Sequence, residues 1–238
     1  MKISAIVQVR TSSTRLPEKV LKELPEGSGI TCLEQVIRRL KQSKKLNGII
    51  IATTTEKADD RIVSIAKKEN VKFFRGSEEN VLSRYLFAAI ENDVDIIVRI
   101  TSDCPCIDAA IVDRVINSHL KLREVYIDYT ANTLIRSYPK GLDVEVFDTN
   151  ILKDVYHVAE SDYDKEHVTP YIYNRPGIYR LNAVKAPKEL YAPNIRVTLD
   201  TIEDYIFLCM IFDYLYPKNK YFNAYDIVNL LREKKEVN

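Results

Sequence analysis

Apolar runs alternate with amphipathic segments through the first half of the chain. The continuous apolar runs predict β-strands over residues 3–9, 48–53, 71–74 and 95–100. Helical spacing of apolar residues between them predicts helices that begin at the capping box of Thr31 and Glu34 and that cover residues 58–69, 81–92 and 108–122. Apolar strands separated by amphipathic helices are typical of a parallel sheet covered on both faces. We therefore expect an α/β protein with three layers and a mostly parallel, mixed sheet.

The second half of the chain is less regular. Its apolar patterns predict strands over residues 125–130, 143–147, 179–184 and 195–199. Its helical patterns cover residues 150–159, 164–174, 203–214 and 224–234. Neither an internal repeat nor a flexible linker interrupts the sequence. We therefore expect one domain over residues 1–238, in which residues 125–187 form a lobe that covers or extends a site.

Composition and charge narrow the class of partner. Hydrophobic residues make up 46% of the 238 residues, which is enough for a packed core and argues against disorder. The net charge of +1 gives no reason to expect nucleic acid or an anionic membrane as a partner. The four cysteines include no metal-binding or redox spacing, and no signal-peptide pattern precedes the first strand. We therefore expect reduced thiols and a cytoplasmic location.

A cluster of cations and hydroxyls follows the first predicted strand. The segment RTSSTRLPEK, residues 10–19, contains two arginines, a lysine and four hydroxyl side chains. Arginine forks, a lysine ammonium and short donors together match the oxygens of phosphates. A solvated surface loop is the alternative for this segment alone. The glycine-rich motifs of NAD dehydrogenases and of P-loop kinases are both missing from the sequence.

Two aspartates follow other predicted strands and are candidate metal ligands. Asp103 follows the strand over residues 95–100, and Asp200 follows the strand over residues 195–199. The carboxyl ends of parallel strands meet at one edge of a sheet, where ligands bind. Mg²⁺ prefers one or two carboxylates together with substrate phosphates. A turn residue for Asp103 and a helix N-cap for Asp200 are the alternatives, but together with the cationic loop the pair predicts a nucleotide–Mg²⁺ site.

These motifs add up to a resemblance that spans nearly the whole chain. The segment IVQVRTSSTRLPEKVL resembles the amino-terminal signature of the cytidylyltransferase family that includes SpsF and the acylneuraminate and Kdo cytidylyltransferases. Five further segments match in family order: RGSEENVLSRY, RITSDCPCID, PKGLDVEVF, KEHVTPYIY and RVTLDTIEDY. The resemblance implies a nucleotide-diphospho-sugar transferase-like, Rossmann-type fold. It also implies CTP as co-substrate, Mg²⁺ as cofactor, a small anionic acceptor and a homodimer.

The resemblance also assigns roles to residues. The residues expected to bind the nucleotide are Gln8, Arg10, Ser12, Ser13, Arg15, Lys19, Arg75, Gly76, Asn80, Val81, Thr101, Ser102 and Asp103. Among them, Arg15, Lys19 and Asp103 would be catalytic, and Asp103 and Asp200 would hold the metal. The expected acceptor-binding residues, in the lobe at 125–187, are Asp143, Glu145, Lys165, Glu166 and His167. That lobe could also form the dimer contact.

The sequence departs from the family pattern at two positions, and it is compatible with two alternative functions. Ser12 and Glu18 stand where the family usually has glycine, so the phosphate-binding loop could be narrower or carry an opposing charge. A glycosyltransferase of related fold would use a DxD motif, which Asp162 with Asp164 and Asp143 with Glu145 superficially match. A non-catalytic nucleotide-binding relative is the other alternative. The leading hypothesis is transfer of CMP to a small acidic acceptor with release of pyrophosphate.

Overall fold

Seven strands form a single mixed sheet in the computed structural model, which describes residues 1–236. The strands are β1 (Ile3–Gln8), β2 (Gly48–Thr54), β3 (Lys72–Gly76), β4 (Ile96–Thr101), β5 (Tyr129–Ala131), β6 (Glu145–Asp148) and β7 (Leu181–Ala183). Their order across the sheet is β3-β2-β1-β4-β6-β5-β7. The first four strands are parallel, whereas β6 is antiparallel to both of its neighbours. The predicted α/β class with a mostly parallel, mixed sheet is confirmed.

Nine α-helices connect and cover these strands within residues 1–236. They are α1 (Cys32–Leu40), α2 (Asp60–Lys68), α3 (Val81–Glu91), α4 (Ala109–Arg123), α5 (Thr149–Val158), α6 (Asp162–His167), α7 (Pro170–Tyr173), α8 (Ile202–Leu215) and α9 (Ala224–Glu236). The predicted capping box at α1 is present, because Thr31 accepts from the amide of Glu34 and the Glu34 carboxylate accepts from the amide of Thr31.

Each face of the sheet is buried by its own group of helices. One apolar cluster joins β1 and β4 to α1, α4, α8 and α9, and the other joins the opposite face to α3, α5 and α7. The result is the three-layer arrangement expected from continuous apolar strands. Residues 125–187 supply β5, β6 and β7 to the same sheet. Their role as an acceptor-binding or dimerisation lobe stays a prediction.

The predicted strand over residues 195–199 is wrong. Val197 and Leu199 are fully buried, as the apolar pattern suggested, but the segment forms only an isolated bridge between Arg196 and Lys140. Gly141 explains the arrangement, because its φ is 105° and a Cβ there would lie 2.8 Å from the backbone of Val197. The segment therefore pairs with an irregular turn. Its apolar residues are buried in the core, but the segment does not hydrogen-bond along its length as a strand of the sheet.

The predicted helix over residues 164–174 is interrupted. The backbone at Val168 has a φ of 73°, which ends α6 and separates it from α7. Pro170 begins α7, at a position where its missing amide hydrogen costs no helical hydrogen bond. The turn places the end of α6 beside the carboxyl ends of the strands.

A buried ion pair crosses the second face of the sheet. Arg99 on β4 is paired in register with Glu145 on β6, and its guanidinium donates to the Glu145 carboxylate. Tyr129 donates to the other carboxylate oxygen at 2.7 Å, and a second guanidinium nitrogen donates to Gln8 Oε1 at 3.0 Å. Glu145 holds the pKa of Arg99 above its ordinary value even though burial alone would lower it. The network ties β1, β4, β6 and β5 together directly beneath the ends of the strands.

Removal of the negative charge at Glu145 should destabilise the protein strongly. We expect Glu145→Gln to lower the free energy of unfolding by about 3–5 kcal/mol, because Arg99 would remain buried without a counter-ion. Glu18→Gln is the matched control, since it removes the same charge from an exposed pair with Arg61 and should cost less than about 1 kcal/mol. Urea unfolding measures both changes. Equal effects of the two substitutions would contradict a structural role for the buried pair.

Candidate functional site

The loop after β1 is fastened by a buried aspartate that sequence reasoning missed. Asp59 is 1% exposed, and its carboxylate accepts from the amide of Thr11 at 2.9 Å and from the Thr11 hydroxyl at 2.7 Å. It also accepts from the hydroxyls of Thr53 and Thr54. Burial would raise the pKa of Asp59, but these hydrogen bonds hold it below its ordinary value. The start of the cationic loop is therefore anchored to β2.

Asp200 gathers three cations at the carboxyl edge of the sheet. Its Oδ1 lies 2.8 Å from Lys19 Nζ and 2.9 Å from Arg15 Nη2, and its Oδ2 lies 2.8 Å from Arg196 Nη2. Burial alone would raise the pKa of Asp200, but the hydrogen bond from Lys19 and the charges of all three cations lower it. The loop after β1 and the segment before α8 are thereby joined, and Asp200 stays ionised at neutral pH.

The two predicted metal ligands lie on either side of one ammonium. Lys19 Nζ, 2.8 Å from Asp200, is also 3.9 Å from Asp103 Oδ2. Asp103 is oriented by a hydrogen bond from the Thr101 hydroxyl, and its backbone carbonyl accepts from the amide of Leu199 at 2.8 Å. Asp103 and Asp200 thus lie close together, as the sequence predicted, although the segment before Asp200 forms an isolated bridge and not a strand. Within residues 1–236, no group of three or more His, Cys, Asp or Glu side chains gathers into a metal site, so the protein offers two carboxylates here.

A polar cleft of about 420 Å³ opens above these residues. Twelve residues named from the sequence line it: Gln8, Arg10, Ser13, Arg15, Lys19, Val81, Thr101, Ser102, Asp103, Glu166, His167 and Asp200. The lining also includes Thr14, one of the hydroxyls of the cationic loop, and Arg84, which the family resemblance places near the base or ribose. Val9 and Val20 complete the lining and had no predicted role. Since the Arg99 guanidinium only donates, the atom of Gln8 that faces it is the carboxamide oxygen, which leaves the NH₂ group of Gln8 as a donor for a ligand.

Four residues expected to bind the nucleotide lie outside the lining of this cleft. Ser12 donates to Glu78 at 2.5 Å, and Arg75 is held by Asp60 and by two backbone carbonyls. Asn80 caps α3 and lines a neighbouring cavity of about 570 Å³. Gly76 is a packing position, because a Cβ there would lie 2.9 Å from the ring of Phe74 and 3.4 Å from Cγ of Arg84. Their roles as nucleotide ligands stay predictions that the geometry does not favour.

Only some of the residues expected to bind the acceptor line the cleft. Glu166 and His167, at the end of α6, reach the cleft, whereas Lys165 lines the neighbouring cavity. Asp143 is held by the guanidinium of Arg136, and Glu145 is held in the buried pair described above. Neither carboxylate lines either cavity. The acidic residues of β6 and of the turn before it therefore serve the fold in this structure.

The DxD-like pair of α6 is also used locally. Asp164 exchanges hydrogen bonds with Ser161 at the start of the helix, with Ser161 Oγ 2.7 Å from the carboxylate. Asp162 lines the neighbouring cavity. The two aspartates therefore form the first turn of α6, and this position does not match a DxD motif that binds a metal.

Glu18 points away from the cations of the cleft. Its backbone has a φ of 54°, the left-handed region that glycine enters without strain, and this agrees with the glycine that the family pattern has at this position. Its carboxylate pairs with Arg61 on the surface at 2.5 Å. The opposing charge considered from the sequence is thus directed away from Lys19. Ser12, the other departure, does not have a positive φ.

Comparison with known proteins agrees with this geometry. A family model described as cytidylyltransferase matches residues 4–235. The spore coat polysaccharide biosynthesis protein SpsF of Bacillus subtilis is 37% identical over 205 residues, which cover 84% of this chain and 82% of SpsF. The structure of a cytidylyltransferase from Leptospira borgpetersenii superposes with a TM-score of 0.91 at 33% identity, covering 100% of this chain and 96% of that one.

A more distant structure shares the fold alone. The CMP:2-keto-3-deoxy-manno-octonic acid synthetase complexed with CTP has a TM-score of 0.67 at 13% identity, covering 90% of this chain and 99% of that one. Among residues 1–236, no helix is both long and apolar enough to cross a membrane. The family match over nearly the whole chain and the sheet with its cationic edge lead to one conclusion: the chain belongs to the cytidylyltransferase family.

Proposed function

We propose that this protein transfers the CMP group of CTP to a small anionic acceptor and releases pyrophosphate. The observation that carries the proposal is the position of Lys19 between Asp103 and Asp200, with Arg10, Arg15 and Arg84 lining the same cleft. A set of cations opposite two carboxylates matches a triphosphate with a divalent cation. The members of the family at 37% and 33% identity support the reaction class.

The cations of the loop would hold the triphosphate. Arg15 and Lys19 pair with Asp200, and both line the cleft, so phosphate oxygens can reach the same donors. Arg10 is 3.4 Å from Glu78 at the mouth. Arginine forks bind phosphate oxygens in pairs, and lysine acts as a point charge. The hydroxyl of Ser13 and backbone amides of the loop supply further donors.

The donor set fits Mg²⁺. The ammonium of Lys19 already occupies a position within 3.9 Å of both carboxylates, which shows that one cation can interact with both of them. Two carboxylates with substrate phosphates are the ligands that Mg²⁺ prefers. When bound, the ion would neutralise charge on the phosphate oxygens. Asp103 and Asp200 would hold it.

The chain's own residues would stabilise the charge that develops during transfer. An acceptor oxygen attacks the α-phosphorus in line, the bond to the β-phosphate oxygen breaks, and pyrophosphate leaves. Arg15 and Lys19 lie where they can bind the leaving oxygens, which accounts for rate acceleration by fixed positive charge. Glu166 and His167 face the same cleft from α6 and would contact the acceptor.

The acceptor would be a sugar acid or a metabolite that carries a phosphate or phosphonate. The names of two relatives support this class: one acts in spore coat polysaccharide biosynthesis, and the other is a synthetase for 2-keto-3-deoxy-manno-octonic acid. An anionic acceptor also fits the positive lining of the cleft, which includes four cationic side chains. A homodimer, expected from the sequence resemblance, belongs to the same proposal.

Asp103→Asn should abolish Mg²⁺-dependent transfer while the fold remains intact. We expect the rate of pyrophosphate release from CTP, measured with a panel of acidic sugars and phosphorylated acceptors, to fall by at least about 100-fold, because one of two metal carboxylates becomes neutral. Asp93→Asn is the matched control, since Asp93 is exposed at the opposite end of β4 and should leave the rate unchanged. Near-normal turnover of Asp103→Asn would remove this residue as a metal ligand. Failure of the wild-type protein to bind CTP would overturn the proposed function.

Asp200 should stabilise the protein at neutral pH and lose this effect in acid. The pKa of Asp200 is lower in the folded protein than in the unfolded chain, where it has the ordinary aspartate pKa of about 3.9. The ionised carboxylate therefore adds to the free energy of unfolding at pH values above about 3.9, and this stabilisation is lost as the pH falls through the lower pKa of the folded state. We expect the difference in free energy of unfolding between the wild type and Asp200→Asn to be largest near pH 7 and to shrink below about pH 4. Urea unfolding across that range measures it. A difference that does not change with pH would contradict the charge role of Asp200.

A further inference from the structure

One carboxylate oxygen at the start of α8 accepts three hydrogen bonds. Oδ2 of Asp204 lies 2.9 Å from the amide of Asp200 and 3.0 Å from the amide of Thr201. It also lies 3.1 Å from Nη2 of Arg196. The Thr201 hydroxyl in turn accepts from the amide of Asp204 at 3.3 Å, which completes a capping box. Asp204 therefore contacts both the backbone of Asp200 and a cation that pairs with Asp200.

A helix cap alone requires fewer of these contacts. In the capping box of α1, the carboxylate of Glu34 accepts from one backbone amide, that of the N-cap residue Thr31. At α8 the shorter side chain of Asp204 accepts from the N-cap amide and also from the amide of the residue before it. The usual residue at this position of a capping box is Glu or Gln. The additional contact is thus not needed for the cap, and it fixes the backbone of a proposed metal ligand.

The two carboxylate oxygens of Asp200 face different groups. Oδ1 lies on the side of Asp103, because Lys19 Nζ is 2.8 Å from Oδ1 and 3.9 Å from Asp103 Oδ2. Oδ2 lies 2.8 Å from Nη2 of Arg196, the same nitrogen that donates to Asp204. The guanidinium of Arg196 is therefore held between two carboxylates. Its contact with Oδ2 keeps Oδ1 directed toward Asp103.

We propose that Asp204 is a positioning residue for the divalent-cation site and that it fixes the orientation of the Asp200 carboxylate. Its contact with the amide sets the backbone of Asp200, and its contact with Arg196 holds the cation that binds Oδ2. Partners that orient a metal ligand without touching the metal change metal affinity by about 10- to 100-fold when they are lost. The proposal rests on the proposed function, because the divalent cation comes from it.

Asp204→Glu separates orientation from charge and from helix capping. Glutamate keeps the negative charge and suits a capping box, so the midpoint of urea unfolding should stay close to that of the wild type. Its carboxylate lies one methylene further from the backbone and is displaced from the position that makes all three contacts. We expect Mn²⁺ affinity to fall by about 10- to 100-fold. The EPR signal of free Mn²⁺ measures this without nucleotide and with CTP.

The dependence of the rate on Mg²⁺ distinguishes a positioning residue from a metal ligand. In Asp204→Glu the half-saturating Mg²⁺ concentration for pyrophosphate release should rise by about the same factor, and saturating Mg²⁺ should restore most of kcat. Saturating Mg²⁺ should not restore kcat in Asp103→Asn, because that variant lacks a ligand carboxylate. A loss of kcat in Asp204→Glu that saturating Mg²⁺ does not restore would contradict the positioning role.

A matched control and a second variant decide the remaining outcomes. Asp226→Glu is the control, because Asp226 Oδ2 accepts from the amide of Asn223 at 2.8 Å at the start of α9, outside the cleft, and Mn²⁺ binding should not change. Unchanged Mn²⁺ affinity of Asp204→Glu would overturn the proposal. A loss of affinity in Asp204→Asn alone would also overturn it, since the effect would then come from charge. Absence of CTP binding by the wild type would instead contradict the proposed function.

Discussion

The concentration of positive charge at one edge of the sheet is the constraint on which the site depends. Arg15, Lys19 and Arg196 would repel one another if they were gathered without compensation. The carboxylate of Asp200 offsets this repulsion because it accepts a hydrogen bond from each of the three cations. Asp103 adds a second negative charge beside Lys19. The same arrangement preserves the donors that phosphates require. The folded protein thus holds these three cations beside two carboxylates, and the carboxylates are suitable ligands for a divalent cation.

Two buried polar networks hold this edge in place. Asp59 fixes the start of the cationic loop through Thr11, and the pair of Arg99 and Glu145 fixes the end of β1 through Gln8. Both networks lie below the cleft, where the low dielectric strengthens satisfied hydrogen bonds. The buried carboxylates of the two networks, Asp59 and Glu145, each accept several hydrogen bonds and thereby position the loop and the end of β1.

Sequence patterns predicted most of the first half of the fold and the convergence of the main site residues. Continuous apolar strands require helices on both faces, and parallel strands bring their carboxyl ends together, so Lys19 and Asp103 could be placed at one edge from the sequence. Asp200 was placed there through a strand that the structure does not contain, and it reaches the edge because the buried segment before it hydrogen-bonds to the backbone of Asp103. The acidic residues of the second half were not predictable in this way. A carboxylate such as Glu145 has the same local pattern whether it meets a ligand or a buried arginine. The strand expected over residues 195–199 failed for a similar reason, because its apolar residues are buried against an irregular turn at Gly141.

The sequence by itself determined the α/β class, the cationic loop after the first strand, the paired aspartates and the resemblance to cytidylyltransferases. These features are local, since each depends on the spacing of residues along the chain. Only the tertiary structure decided which charges are paired. It assigned Glu145 to Arg99 and directed Glu18 to Arg61. The physical reason is that the partner of a charged side chain can come from any part of the chain, and the distance between them is set only when the sheet and its helices are assembled.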